Sequence, residues 1–471
     1  MTDNGGRKRQ LGALTSTDSG RTITRRKALL GTAAFATFGV GNLATPALAT
    51  GEYGDTVDLV DDFGADPTGE EPINDALAEA VQDDTKVVFP PGEYWIDGSG
   101  FSRSGLSHTA LVGGGDQPGD VTVRPTEGTN PYVFILRGDG IRIENMTIDE
   151  SAPMTSTGIN VLSDDNLVLR NLHFDGPGDG PAEPVGSPGE VEVAGPFNIV
   201  PGVRNADGTG LIEDVHCPEV TVPYYRKGAM WVAAGSHAGH LLIRRSSFGY
   251  SSDNAIYGSG AGAPWGAGGS IGVENCYFEN NNVTAVRLGT AGSYAKNCTV
   301  VVDGDGPPIL PWGGLASRAG WVWYGFDGEY RNFDVIIDHE SGHGFYGHPS
   351  QTGKWSIKNS RVRADQAGVA VFTPPGDGIG IKNVSVTGDT DFWGTMVIQR
   401  DADVQNCCIR HTEGARNGII AQQEAAVTVS NSLIDVPGDA IVEVGDAEVE
   451  VINPRIDGDC APAQRRHAFD R

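Results

Sequence analysis

One hexad recurs along this chain: apolar, polar, Asn, small or apolar, polar, apolar. It reads Ile143-Glu144-Asn145-Met146-Thr147-Ile148, then Leu169-Arg170-Asn171-Leu172-His173-Phe174. Later copies centre on Asn275, Asn297, Asn332, Asn359, Asn383, Asn406, Asn431 and Asn453, and two copies carry Asp214 and Arg245 instead. The sixth position is apolar in all twelve copies, from Ile148 and Phe174 through Cys217, Phe248, Phe278, Val300, Val335, Val362, Val386, Ile409 and Ile434 to Ile456. Most steps are 22 to 31 residues, too short for a domain and right for one coil of a stacked solenoid. Within a coil the apolar residues alternate with polar ones, as strands require. Asn suits a corner because it tolerates the left-handed conformation and bonds neighbouring backbone. Coils stacked about 4.8 Å apart bring each amide within reach of the next. A sandwich has no need of Asn at one fixed place per turn. The pattern therefore predicts an all-β right-handed parallel β-helix of about twelve coils, each of three short strands.

The region before the first copy completes the reading. Residues 72–82 place Ile73, Ala76, Leu77, Ala80 and Val81 at helical spacing, which predicts a helix capping the open end of the solenoid. On either side lie Asp61-Asp62-Phe63-Gly64-Ala65-Asp66-Pro67-Thr68-Gly69 and Val87-Val88-Phe89-Pro90-Pro91-Gly92-Glu93-Tyr94. Together with the Asn ladder, these stretches resemble the pectate lyase superfamily over residues 57–457. The resemblance implies the β-helix and a carbohydrate-directed role, but the fold also carries hydrolases, epimerases, phage spikes and inert surface proteins.

Residues 1–49 are expected to lie outside the fold. Thr24-Arg25-Arg26-Lys27-Ala28-Leu29-Leu30 resembles a twin-arginine export signal, followed by an apolar stretch and Ala47-Leu48-Ala49 as a cleavage site. The expected divisions are this signal at 1–49, a cap with the first strands at 50–97, the β-helix at 98–457 and a tail at 458–471. No later run reaches the ~18 apolar residues of a membrane span, so a secreted, extracellular protein is expected. The formal charge of −27, with Arg far outnumbering Lys, resembles a salt-adapted surface. It argues against nucleic-acid binding, which needs a basic footprint. Of the four sequons, Asn145, Asn297 and Asn383 are ladder residues, leaving Asn282 as the candidate glycan site. Cys276, Cys298 and Cys407 follow ladder Asn residues and should point inward, with Cys276 and Cys298 in adjacent coils either as packed thiols or as a disulfide. The six cysteines lack paired metal spacing.

In the superfamily resembled, substrate lies along the strand after the long loop of each coil. Aligning the coils gives an outward row of Trp231, Tyr257, Arg287, Trp323 and Tyr346, continued by Ala370, Val397, Ile420 and Val442. Aromatic faces stack on sugar rings, and guanidinium forks pair with carboxylates. The expected substrate-binding residues are Trp231, Tyr257, Trp323 and Tyr346, and the expected catalytic residues are Arg287, Glu340, His343 and Asp253. Glu279 and Lys227 also precede this row. The partner implied is a polysaccharide, acidic for choice. A lyase needs a base for the proton α to the carboxylate and a cation or metal for the enolate, and acidic loops offer oxygen ligands for Ca²⁺. A glycosidase needs two carboxyls at close spacing, and Asp253 and Glu340 sit about three coils apart. Gly342-His343-Gly344 matches one polygalacturonase motif, but the accompanying Asn-Thr-Asp and Asp-Asp motifs are absent. Two further readings stay open: a non-catalytic glycan binder using the same row, and a structural protein whose Ala370–Val442 row packs on another subunit.

Overall fold

The computed structural model describes residues 52–180, 183–184, 191–192, 194–366, 368–455 and 457–466. The export-type segment, with its cleavage site, and Ile456 of the repeat lie outside the described residues. The chain forms a parallel β-solenoid of about 15 coils. Thirty-seven strands join in parallel ladders, and a small antiparallel pair, Glu183–Pro184 with Val191–Glu192, stands apart. Each full coil contributes one strand to each of three sheets. Sheet 1 holds strands such as Val286–Leu288 and Gly342–Gly347. Sheet 2 runs from Asp55–Asp58 to Glu448–Ile452, and sheet 3 holds strands such as Tyr277–Glu279 and Asp334–Ile337.

The corner between sheets 2 and 3 explains the repeat. All twelve hexad centres adopt left-handed backbone, from φ 58° at Asn145 to φ 48° at Asn453. Their amides bond along the axis: Asn171 Nδ2 donates to Asn145 Oδ1 at 2.7 Å, Asn332 to Asn297 at 2.8 Å and Asn383 to Asn359 at 2.8 Å. The two departures explain each other. Asp214 and Arg245 are neighbours in the column (φ 54° and 52°), and Arg245 Nε and NH2 reach the two Asp214 carboxylate oxygens at 3.0 and 2.8 Å. A bidentate ion pair replaces one amide step. The expected result is a coupling of about 0.5–1 kcal/mol, because both side chains are partly exposed. Urea unfolding of Asp214→Asn, Arg245→Asn and the double variant should show each single change costing more than the pair.

The coil count exceeds twelve because three turns precede the first Asn. Pairing of Asp58 with Val88, Val88 with Val112 and Val112 with Glu144 puts Leu59, Phe89 and Gly113 at the corner that Asn145 occupies next. The β-helix therefore starts at Asp55. The capping helix is present but short, Asn74–Ala80, with Ile73, Leu77, Ala80 and Val81 buried in the core. That core continues through inward residues of every coil to Ala447. At the other end Val444, Val451 and Ile452 are 44%, 47% and 39% exposed, so the last rung is open.

One expectation is corrected here, and one open alternative is decided in favour of packed thiols. Asn282 is fully buried, and its amide donates to the Pro308 and Gly314 carbonyls at 3.0 and 2.9 Å, so it staples a loop and offers no glycan site. Cys217, Cys276, Cys298 and Cys407 are buried free thiols. The disulfide joins Cys408 to Cys460, tying the tail to sheet 3.

Candidate functional site

Strand pairing fixes the outward row of sheet 1. Trp231 lies beside Tyr257, Tyr257 beside Arg287, Arg287 beside Trp321, Trp321 beside Tyr346 and Tyr346 beside Phe372. Val397, Ile420 and Val442 continue it as expected. Two positions move by two residues: Trp321 replaces Trp323, and Phe372 replaces Ala370. Both are period-2 slips of the kind that leaves the in–out pattern intact. Trp321-Val322-Trp323 offers the same outward-inward-outward lettering twice, and strand Ser317–Val322 begins straight after the loop 303–316, so only pairing decides between the two.

Trp323 nevertheless joins the site from the strand end. Arg287 Cζ lies 4.0 Å from the Trp323 ring centre, 4.2 Å from Tyr257 and 5.1 Å from Trp321. Arg287 is 7% exposed and its guanidinium is held by ring faces, each a favourable cation–π contact. Burial lowers its pKa from the usual arginine range, with Tyr257 and Asp253 opposing that shift. Arg287 Nε and the neighbouring Trp323 Nε1 are buried donors with no acceptor.

The next coil repeats the device with Arg318, which sequence reasoning missed. Its Cζ lies 4.5 Å from Trp321 and 5.0 Å from Tyr346; NH1 donates to the Val283 carbonyl at 3.0 Å, and Nε is buried without an acceptor. Pairing sets Arg318 beside His343, which the sequence did flag. The one available signal was that both residues stand three places before an aromatic of the outward row. His343 Nδ1 is 3.3 Å from the Tyr346 hydroxyl. Burial, helped by Arg318, pushes His343 down to about 4, while burial pushes Tyr346 up to about 12. Both are neutral near pH 7.

The expected carboxylates are placed otherwise. Asp253 is 4% exposed; Oδ2 accepts from Arg226 Nε at 2.7 Å and Oδ1 from the Asn254 backbone at 2.7 Å. Glu340 is exposed on the loop before Gly342–Gly347. Glu279 lies on sheet 3 and is paired with Arg465. Lys227 is wholly buried against Glu150. Among the described residues, no group of three or more His, Cys, Asp or Glu is arranged to hold a metal, Ca²⁺ included.

Trp231, 40% exposed, stands at one end of the row, its ring 6.2 Å from that of Phe197. Residues 303–316 wall this end. Asn282 pins that loop as described, Tyr224 N donates to the Ile309 carbonyl at 2.8 Å, and Trp312 at its tip is 62% exposed with the Arg226 guanidinium 5.8 Å from its ring. The result is an aromatic row with two embedded cations and one built wall.

No family model and no curated protein matches the chain. Solved structures of similar fold include the mannuronan C-5 epimerase AlgE4 A-module of Azotobacter vinelandii, at 13% identity and TM-score 0.41, covering 86% of this chain and 100% of that one. The surface adhesin PfbA of Streptococcus pneumoniae is similar at 13% identity and TM-score 0.47, covering 82% and 91%. A family 28 exopolygalacturonase of Yersinia enterocolitica is similar at 11% identity and TM-score 0.27, covering 86% and 79%. These are likenesses of fold and assign neither substrate nor reaction to this chain.

Proposed function

We propose that this chain is an exported protein that binds an acidic polysaccharide along the row from Trp231 to Phe372 and cleaves it by β-elimination. One observation carries the reading: the Arg287 and Arg318 guanidiniums lie against Tyr257, Trp321, Trp323 and Tyr346 in one aromatic row. A guanidinium in such a row is a charge-assisted donor for the anionic oxygens of a ligand. Carboxylates on a sugar polymer supply those oxygens while its rings stack on Tyr257, Trp321 and Tyr346. With a uronate carboxylate held by Arg318, which lies beside His343 and against the Tyr346 ring, the neutral His343–Tyr346 pair takes the proton α to that carboxylate. The C–H electrons form the new C=C bond, the glycosidic C–O bond breaks, and its electrons leave on the departing sugar oxygen. A hydrolase needs two free carboxyls, and Asp253 is already engaged by Arg226. Export is part of the proposal, supported by the twin-arginine pattern and by a disulfide that suits an oxidising compartment.

A second reading, binding without cleavage, is favoured by the low His343 pKa of about 4, which makes a weak base. The test is a panel of uronate and neutral polymers, assayed by ultraviolet absorbance of unsaturated uronate and by retardation in polymer-containing gels. The expected outcome is retardation and unsaturated product with uronate polymers alone, with an acid limb near pH 4, well below the usual histidine value of about 6.5. Retardation without product at any pH would establish the binding-only reading, and retardation by neutral polymers alone would remove both.

A further inference from the structure

We propose that the C-terminal segment is a disulfide-latched strap in which Arg465 positions the loop walling the cleft. The segment runs back over the outside of sheet 3. Its path starts at Cys460, bonded to Cys408, with Asp459 3.4 Å from Arg410. Ala463 is 5% exposed, packed with Tyr277, Val301 and Ile336 from three coils. The Gln464 amide donates to Asp334 Oδ1 at 3.2 Å, and Arg466 Nε is 3.5 Å from Asp334 Oδ2. At the far end Arg465 bonds Glu279, donates to the Tyr277 hydroxyl at 3.3 Å and lies 3.5 Å from Asp303 Oδ2.

Asp303 is the first residue of the walling loop. Its other oxygen, Oδ1, accepts from Asn280 Nδ2 at 2.6 Å and from the Asp305 amide at 3.2 Å, and its own amide donates to Asn280 Oδ1 at 3.0 Å. Arg465 thus neutralises a carboxylate whose remaining bonds shape the turn at 303–306. Glu279 and Asp303 face each other there, and burial together with Asp303 raises the Glu279 pKa while Arg465 holds it back. Without Arg465 two neighbouring carboxylates repel at the root of the loop that carries Trp312. The chain reaches this place from a bond several coils away, so the Cys408–Cys460 bond keeps Arg465 at high effective concentration over Asp303. Reduction by an external dithiol moves two electrons into that bond, leaving two cysteine thiols and the oxidised dithiol, and frees the strap from its anchor.

The test is hydrogen exchange of the whole folded protein, oxidised and dithiol-treated, with Cys460→Ser, Arg465→Ala and Arg465→Lys. Exchange at residues 303–316 should rise about tenfold on reduction, in Cys460→Ser and in Arg465→Ala. It should stay near the parent rate in Arg465→Lys, while sheet 2 strand His240–Arg244 is unchanged throughout. Unaltered exchange at 303–316 in both Cys460→Ser and Arg465→Ala overturns the inference, as does an equal rise in His240–Arg244. Loss of gel retardation alongside the exchange change rests on the polysaccharide reading. The exchange result does not, so either idea can fail alone.

Discussion

Replacing Lys227 with alanine should destabilise the fold by about 3–5 kcal/mol, the range for a buried ion pair that loses one partner. Lys227 and Glu150 are both fully buried and bonded to each other. The ammonium also reaches Ser156 Oγ at 3.1 Å and the Thr157 carbonyl at 3.0 Å, while Glu150 accepts from Thr157 N at 2.7 Å and Asn198 Nδ2 at 2.8 Å. Burial pushes Glu150 up and Lys227 down, and each charge is the main force opposing the other's shift. Lys227→Ala leaves a carboxylate with no exposed surface and no cation. The chain is seated on this pair: a Cβ at Gly178 would sit 2.9 Å from the Lys227 nitrogen, so this close approach suits glycine. Urea unfolding of Lys227→Ala, and of Lys227→Met with Glu150→Met, checks the argument. The double variant should recover most of the loss, because two apolar side chains bury what two charges did. Equal destabilisation by both would mean that packing, and not charge, sets the cost.

Arg287→Met should weaken retention on acidic polymers by about tenfold to a hundredfold, the worth of a charge-assisted bond of 1.5–3 kcal/mol. Stability in the absence of polymer should move by less than about 1 kcal/mol. The methionine keeps apolar contact with Tyr257, Trp321 and Trp323 and removes a buried donor that had no acceptor, so lost cation–π attraction and relieved burial offset. Arg287→Lys should recover little, since an ammonium lacks the plane that lies against the Trp323 face and the fork that grips a carboxylate. Gel retardation and thermal unfolding, measured on the same preparations, separate these effects. Parallel losses of both would place Arg287 among packing residues.

The fold was legible because, in twelve turns, the corner between sheets 2 and 3 takes left-handed backbone, and Asn adopts it more readily than other residues that carry a side chain. Where the corner is turned without left-handed backbone, the reading failed. Leu59, Phe89 and Gly113 hold the same corner with no Asn, and three coils went uncounted. The site was half legible for a similar reason. Trp231, Tyr257, Arg287 and Tyr346 stand on short strands between well-marked turns, so alignment sufficed. Trp321 and Trp323 share one alternation, and nothing local distinguishes them. Arg318 was hidden because its aromatic neighbours, Trp321 and Tyr346, come from two coils. The Cys408–Cys460 bond was hidden because Cys460 lies in the tail, beyond any repeat that would place it beside Cys408.

The open final rung has a consequence for how copies of this molecule meet. Among the described residues, strand Glu448–Ile452 pairs on one side alone, with Ala426–Ser430; on the other margin Glu443 Oε1 accepts from the Val449 amide at 2.7 Å, and the rest of that edge can receive a foreign strand. Glu443, Asp446, Glu448 and Glu450 crowd that margin with negative charge, so two such ends repel in dilute buffer. Salt shortens the reach of that repulsion to a few ångströms. High salt thus weakens the acidic guard at the place where end-to-end stacking begins.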